Sequence, residues 1–451
     1  MPRIIQKFEN WAETVFELDR YRTSVKRESA AGITIFLTMS YILFVQPSVL
    51  GAAGMDKGAV FTSTCIVSAI ACLMMGFVAK LPVAQAPLMG ENFFFAYTVV
   101  LGMGYSWRQG LSLVFISGIL FLLLNFTKIR QRLISVIPDS LKFGISAGIG
   151  LFIAMIGFKQ CGLIVADPAT LLKLGPLHRP EILITVFGFF FTAAFYARKV
   201  RGSILWGMLA TAGMLWLGGY LHYNGVFSMP PSVMPIMFKF SFAGLLTWHA
   251  VSVVIILLFM MIFDTMGTLI GLGVQAGLME KGGNLKNIPR ALLTDATATT
   301  IGAVMGNSTV SSYIESSTGI ALGGKTGLTA IMVGLCFLMA LFFSPLMGMF
   351  GGTIKITDTL AIQPVTSPAL IMVGALMMGS AKNIKWDDFA ESVPSFLTIA
   401  LIPFTYNIAD GISVGFISYP VLKAAKGESG EVSLLAWALA VVFLLRFIFI
   451  Y

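Results

Sequence analysis

The sequence predicts an all-α polytopic membrane protein of fourteen transmembrane spans, arranged as two inverted seven-span repeats. Three observations carry that expectation. Of 451 residues, 57% are hydrophobic and only 11% charged, against roughly 25% charged in soluble chains, and the mean hydropathy is +0.87. The apolar residues fall into stretches close to the spanning length, about 20 residues each. The basic residues crowd into alternate links between those stretches, as positive-inside topology requires. The same figures exclude a soluble enzyme, a nucleic-acid-binding module and a disordered scaffold. The net charge of +9 is therefore a topology signal, not a footprint for nucleic acid. The 46 Gly and 25 Met suit helices packed closely in lipid.

Residues 1–29 are polar and mixed in charge, and no cleavable leader is expected there. Ile4, Ile5, Phe8, Trp11, Val15 and Leu18 recur at helical spacing. They predict a cytoplasmic amphipathic helix lying on the membrane or on the protein. Spans follow near 30–51, 59–79, 84–103, 109–127, 140–158, 180–198 and 201–221. A second seven lie near 249–273, 291–306, 308–322, 327–346, 366–381, 392–407 and 409–424. The apolar tail near 433–450 is expected to lie in the interface rather than cross.

With the N-terminus inside, the inner links hold Lys80, Lys128, Arg130, Arg132, Arg198, Lys199, Arg201, Lys281, Lys286, Arg290, Lys325, Lys382 and Lys385. The C-terminal segment adds Lys423 and Lys426, while the outer links are poorer in Lys and Arg. Both termini are thus expected in the cytoplasm, in an inner or plasma membrane. An odd number of spans per half inverts the second half, a recurring plan of secondary transporters. Two short echoes accompany it: FYARKVRG (195–202) beside FTYNIADG (404–411), and Gly110-Leu-Ser beside Gly327-Leu-Thr.

Two spans read as broken. The third, LPVAQAPLMGENFFFAYTVV, carries Pro82, Pro87 and Gly90 before the polar pair Glu91-Asn92. The tenth, GNSTVSSYIESSTGIALGG, is short and rich in hydroxyls. Interrupted segments at matching places in two halves point to a substrate site, because irregular backbone at membrane depth survives only beside protein or a cavity. Ionisable residues inside spans are functional candidates by default. Asp264 sits deep in an apolar run with Thr268 one turn on, so the two share a face. Glu315 is surrounded by hydroxyls, Ser312 among them, suited to a planar solute with several hydrogen-bonding groups. Asn92 offers a donor and an acceptor to a nucleobase edge. Glu91 and Phe93 are further candidates, whereas Asp295, five residues after Arg290, reads as an ion-pair or helix-anchoring residue.

Cys65, Cys72, Cys161 and Cys336 show no paired spacing, and His178, His222 and His249 no zinc-ligand spacing. No Walker A, HExxH or GxSxG pattern occurs. Neither a metal nor a cofactor is therefore expected, and the chain reads as a transporter driven by an ion gradient, not an enzyme.

The stretches AGITIFLTMSYILFVQPSVL (31–50), APLMGENFFFAYTVV (86–100), FDTMGTLIG (263–271) and GNSTVSSYIESSTGIALGGKTGLTA (306–330) closely resemble the AzgA-like purine permeases of the nucleobase:cation symporter family. HYNG (222–225), PPSVM (230–234) and ESVPSFLT (391–398) extend the likeness almost end to end. The resemblance implies import of adenine, guanine or hypoxanthine by proton symport, through an elevator motion of a core domain against a gate domain. Spans 1–4 (30–127) and 8–11 (247–350) would form the core. Spans 5–7 (128–246) and 12–14 (351–427) would form the gate, a possible homodimer interface, with 428–451 as the tail. Spans 3 and 10 would each hold a short extended piece with the ligand between them. Asp264 and Glu315 match the family's two carboxylates, here assigned to substrate and proton, and Asn92 matches its third-span amide. Thr268 falls where uracil-type relatives place a histidine, and the backbone of Tyr313 and Ile314 is expected to face the base. The usual third-span pattern reads APGMGLNAFFAY, so Leu88, Glu91 and Phe93 depart from it. A pyrimidine or xanthine permease of the same fold is the nearest alternative. An anion exchanger or channel would call for Lys or Arg at the breaks, where this chain has acids.

Overall fold

The computed structural model describes residues 2–127, 138–221, 223, 225–278, 287–356 and 360–450. Lys128, Arg130, Arg132, Lys281 and Lys286, used above for topology, lie outside them, as do His222 and Asn224 of HYNG. The chain opens with α1 (Pro2–Phe16). Its Ala12 and Phe16 are buried with Leu18 against Leu328 and Ile331, so this helix rests on the protein.

The first apolar run becomes α2 (Val25–Met39) and α3 (Ile42–Ala52), with Ser40 and Tyr41 in the turn between them. It starts at the Ser24 cap, earlier than the apolar pattern suggested, because that hydroxyl accepts from Arg27 N. Helix α4 (Lys57–Met74) runs on as a π-helical turn, Met75–Ala79, and Lys80 ends it in the left-handed region. Strand β1 (Gln85–Pro87) leads into α5 (Met89–Phe93), which continues as a π-helix over Phe94–Gly102. There follow α6 (Trp107–Asn125), α7 (Asp139–Gln160), strands β2 (Ile164–Asp167) and β3 (Leu171–Leu174), α8 (Pro180–Ala197) and α9 (Ser203–Leu217).

The second half holds α10 (Trp248–Ala276), α11 (Ile288–Val304), β4 (Val310–Ser312), α12 (Ser316–Ala321), α13 (Gly327–Ala340) and α14 (Ser344–Phe350). Then come strands β5 (Ile354–Lys355) and β6 (Ala361–Ile362), and helices α15 (Ser367–Met378), α16 (Phe389–Phe404), α17 (Ile408–Ala425) and α18 (Leu434–Ile450).

The fold is thus mostly helical, with the long apolar helices of a multi-pass membrane protein. Among the described residues seven helical runs are long and apolar enough to cross a membrane. Others are short: α15 has 12 residues, about 18 Å at 1.5 Å per residue, against a hydrocarbon core of about 30 Å. Three two-stranded pairs modify the all-α expectation. The β2–β3 hairpin had no sequence signal strong enough to announce it. Asp167 closes its turn by accepting from Ala169 N and Thr170 N.

The helices gather in two groups. Helix α13 packs on α2 and α4, and α6 packs on α10 and α11. Helix α7 packs on α15 and α16, α16 on α17, and α8 on α9. Each group has a crossing at backbone contact. A Cβ on Gly327 would stand 2.0 Å from Gly76 O, and one on Gly374 2.4 Å from Gly150 O. Small residues permit that approach in lipid. The groups meet where α5 touches α7: a Cβ on Gly90 would stand 3.3 Å from Ile149 Cγ2.

Candidate functional site

The two broken segments meet as one antiparallel pair. Gln85 stands opposite Ser312, Ala86 opposite Ser311 and Pro87 opposite Val310. The ladder extends at both ends, with Leu88 N donating to Thr309 O at 3.1 Å and Tyr313 N to Ala84 O at 2.9 Å. Pro82 and Pro87 deny helix to the first part of the third segment, before α5 begins at Met89. Two facing extended pieces then satisfy each other's backbone inside the protein, where such pieces are tolerated.

Asp295 pins the pair from behind. Fully buried on α11, it accepts from Thr265 Oγ1 at 2.7 Å, Ser311 Oγ at 3.2 Å, Ser312 N at 3.3 Å and Ser312 Oγ at 3.2 Å, and also from Gln85 Nε2. The helix-anchoring expectation holds, and Arg290 takes no part. Ser312 is therefore spent on the anchor.

Asn92 lies in a second buried network. Its carbonyl oxygen accepts from Gln46 Nε2 at 3.1 Å and from Ser308 Oγ, and its amide nitrogen donates to Gln46 Oε1. Gln46 also donates to Asn307 Oδ1 at 2.7 Å, and Asn307 Nδ2 to Thr64 Oγ1 at 3.1 Å. The amide expected to read a ligand edge is thus engaged in tying α3, α4 and the tenth segment together.

The open side of the crossing belongs to other residues. Asp264 is exposed, and Gly267 and Gly271, one and two turns on, are exposed with open space where a Cβ would point. Thr268 and Glu315 are half-buried and Ile314 is 55% exposed. These exposed positions form an open strip along α10 beside the turn that carries Ile314 and Glu315, and that strip is the candidate groove. Glu315 Oε1 accepts from Tyr41 Oη at 2.8 Å, and Asp264 stands within electrostatic reach of both Glu315 and Glu91. Tyr313 points the other way, its hydroxyl on Pro87 O. Its backbone is also engaged, N–H to Ala84 and C=O from Ser316 N at 3.1 Å. Phe93 is buried and stacked on Tyr97 at 5.5 Å between ring centroids, a core contact.

Asp264, Thr268, Ile314 and Glu315 come together at the groove. Asn92, Ser312 and Tyr313 support it from within, Phe93 belongs to the core, and Glu91 is buried beside Asp264. Sequence reading missed Tyr41, Gln46 and Thr265. The first two are polar residues interrupting the 31–50 run, with Pro47 beside them. That was the available signal.

A model of the permease family matches residues 26–414. The chain belongs to that family. It is a transporter, not an enzyme. It is 42% identical to the adenine permease AdeP of Escherichia coli over 97% of this chain and 96% of the relative. It is 43% identical to the guanine/hypoxanthine permease PbuO of Bacillus subtilis over 96% and 99%. Among solved structures, the transmembrane domain of the cyanobacterial bicarbonate transporter BicA superposes with a TM-score of 0.62 at 13% identity, over 85% of this chain and 96% of that one. At that identity the likeness is one of fold. The kinship expected from the motif stretches is established, and those stretches are the segments that build the strand pair and the groove.

Proposed function

We propose that this permease imports purine nucleobases, adenine, guanine or hypoxanthine, by proton symport. The relatives named for adenine and for guanine/hypoxanthine support the substrate class. The observation that carries the site is the pair of acids on the open groove, Asp264 and Glu315, beside the strand crossing. Glu315, oriented by Tyr41, accepts N–H groups of the base. Asp264 carries the coupling proton, and Thr268 and the Ile314 turn line the same groove. Asn92 holds the crossing in register through Gln46 and Ser308. Neither metal nor organic cofactor enters this scheme; the coupling ion is H⁺.

The full architecture in this reading is fourteen spans in two inverted repeats, with both termini cytoplasmic. The two packing groups are its core and gate, the gate serves as a homodimer interface, and transport is an elevator motion of one group against the other. The close glycine crossings inside each group and the sparser seam at Gly90 and Ile149 support motion of each group as a body. The groove follows the C-terminal half of α10, the end that the basic residues place inside. That supports an inward-open state. BicA shares the fold, but the breaks here carry acids, which disfavours an anion as cargo.

The test is uptake of labelled adenine, guanine and hypoxanthine into purine-transport-deficient cells, with and without a protonophore. One base should accumulate, and the protonophore should abolish it. Glu315→Gln and Asp264→Asn should each lower uptake about 10–100-fold at unchanged expression, the worth of a hydrogen bond to a charged group. Uptake equal to wild type in both variants overturns the role assignment. Block of uptake by uracil or xanthine, but not by the purines tested, moves the substrate to those bases.

A further inference from the structure

Glu91 has no role in the scheme so far. It is 1% exposed, and neither carboxylate oxygen has a hydrogen-bond partner in another described residue. The groups that face it electrostatically are Asp264 from α10 and Tyr313 at the end of β4, an acid and a phenol, with no basic side chain among the described residues. The side chains that α3 and α7 bring to the positions on either side of it are uncharged: Gln46 bonds Asn92, and Ile149 packs on Gly90. An anion with neither a counter-ion nor a donor from another described residue is very costly in such surroundings, whereas a neutral carboxyl is tolerated.

Position adds a second observation. Glu91 sits at the seam where α5 of one helix group meets α7 of the other, and it is a neighbour of Asp264, which is open to the groove. We propose that Glu91 is a proton-binding residue that ties closure of this seam to proton uptake. The carboxyl takes a proton from water before the seam closes over it and returns one to water when the seam opens. Glu91 thereby adds a proton site to that at Asp264, and the inference rests on the purine-symport reading above.

The experiment uses the full chain in proteoliposomes, comparing wild type with Glu91→Gln, which mimics the proton-loaded side chain. Counterflow of labelled adenine, guanine or hypoxanthine at equal pH needs no net proton movement, whereas accumulation under a pH gradient does. Glu91→Gln should keep counterflow within about twofold but lose about tenfold in accumulation at a gradient of about one pH unit, the equivalent of one proton. Accumulation equal to wild type overturns the proposal. So does loss of counterflow by a folded variant, which makes Glu91 a substrate contact instead.

Should Glu91→Gln fail to fold, infrared spectroscopy decides the matter on wild type and Glu91→Asp. The proposal requires the carbonyl band of a protonated carboxyl lacking hydrogen bonds, altered in the Asp variant. Absence of that band overturns it. If wild type moves none of the three bases, the purine reading fails, while the infrared band still decides Glu91.

Discussion

Asp295 and Glu91 are equally buried acids in neighbouring segments, 0% and 1% exposed. Asp295 is surrounded by donors from Gln85, Thr265, Ser311 and Ser312. Glu91 has none. Burial alone therefore does not say what a carboxylate is for. A satisfied buried polar group specifies a structure, while an unsatisfied one is costly unless it changes its charge or its surroundings. The first kind is built to stay and the second to move.

The largest expected effect comes from the satisfied acid. Asp295→Ala leaves several buried donors without an acceptor, each worth about 1–3 kcal/mol. It should lower stability by at least about 3 kcal/mol, as breaking a buried charge network does, and abolish uptake with it. Asp295→Asn keeps one acceptor oxygen and should fall between. Thermal unfolding in detergent reads both. If Asp295→Ala unfolds with the midpoint of wild type, the contrast with Glu91 fails.

A second satisfied acid sharpens the contrast at lower cost. Glu28 is fully buried and caps the start of α13, accepting from Lys325 N at 3.0 Å, Thr326 N at 3.2 Å and Thr329 Oγ1. Glu28→Ala should destabilise by about 1–2 kcal/mol, the scale of a lost helix cap. Being remote from the groove, it should leave the apparent affinity for base unchanged. A shift in affinity at unchanged stability would place Glu28 in the transport cycle instead.

The smallest effect belongs to the acids at the ends of α16 and α17. Lys426 bonds Asp388 at 3.1 Å, and Lys423 bonds Glu428 at 2.6 Å. These partners hold both carboxyls below the usual carboxylate range. Both acids ionise more readily folded than unfolded, so their contribution is full above that range and is lost as pH falls through it. The unfolding midpoint should be flat near neutrality and decline below about pH 4. Lys426→Ala should reduce the decline only slightly, because exposed pairs contribute little. A large shift from that variant would mean the cluster is more than a surface pair.

Much of the site was legible in the residues, and the limits are physical. Asp264 and Glu315 stood out because an acid in an apolar run is expensive. The strand pair was foreshadowed by Pro87, Gly90 and the hydroxyl-rich tenth segment. Phe93 was ambiguous, since a phenylalanine suits core, lipid and ligand alike, and only its stack on Tyr97 places it in the core. Asn92 and Gln46 are 46 residues apart, and no local pattern announces that two such amides will meet.

Hydropathy and charge bias, which depend on composition over short windows, determined the membrane class, the helical segments and their approximate limits. The partner of each polar side chain depends on contacts between distant segments, so tertiary structure alone decided it. It engaged Asn92 in a network, spent Ser312 on Asp295, turned Tyr313 toward Pro87 and left the Glu91 carboxyl at the seam without a partner in another described residue.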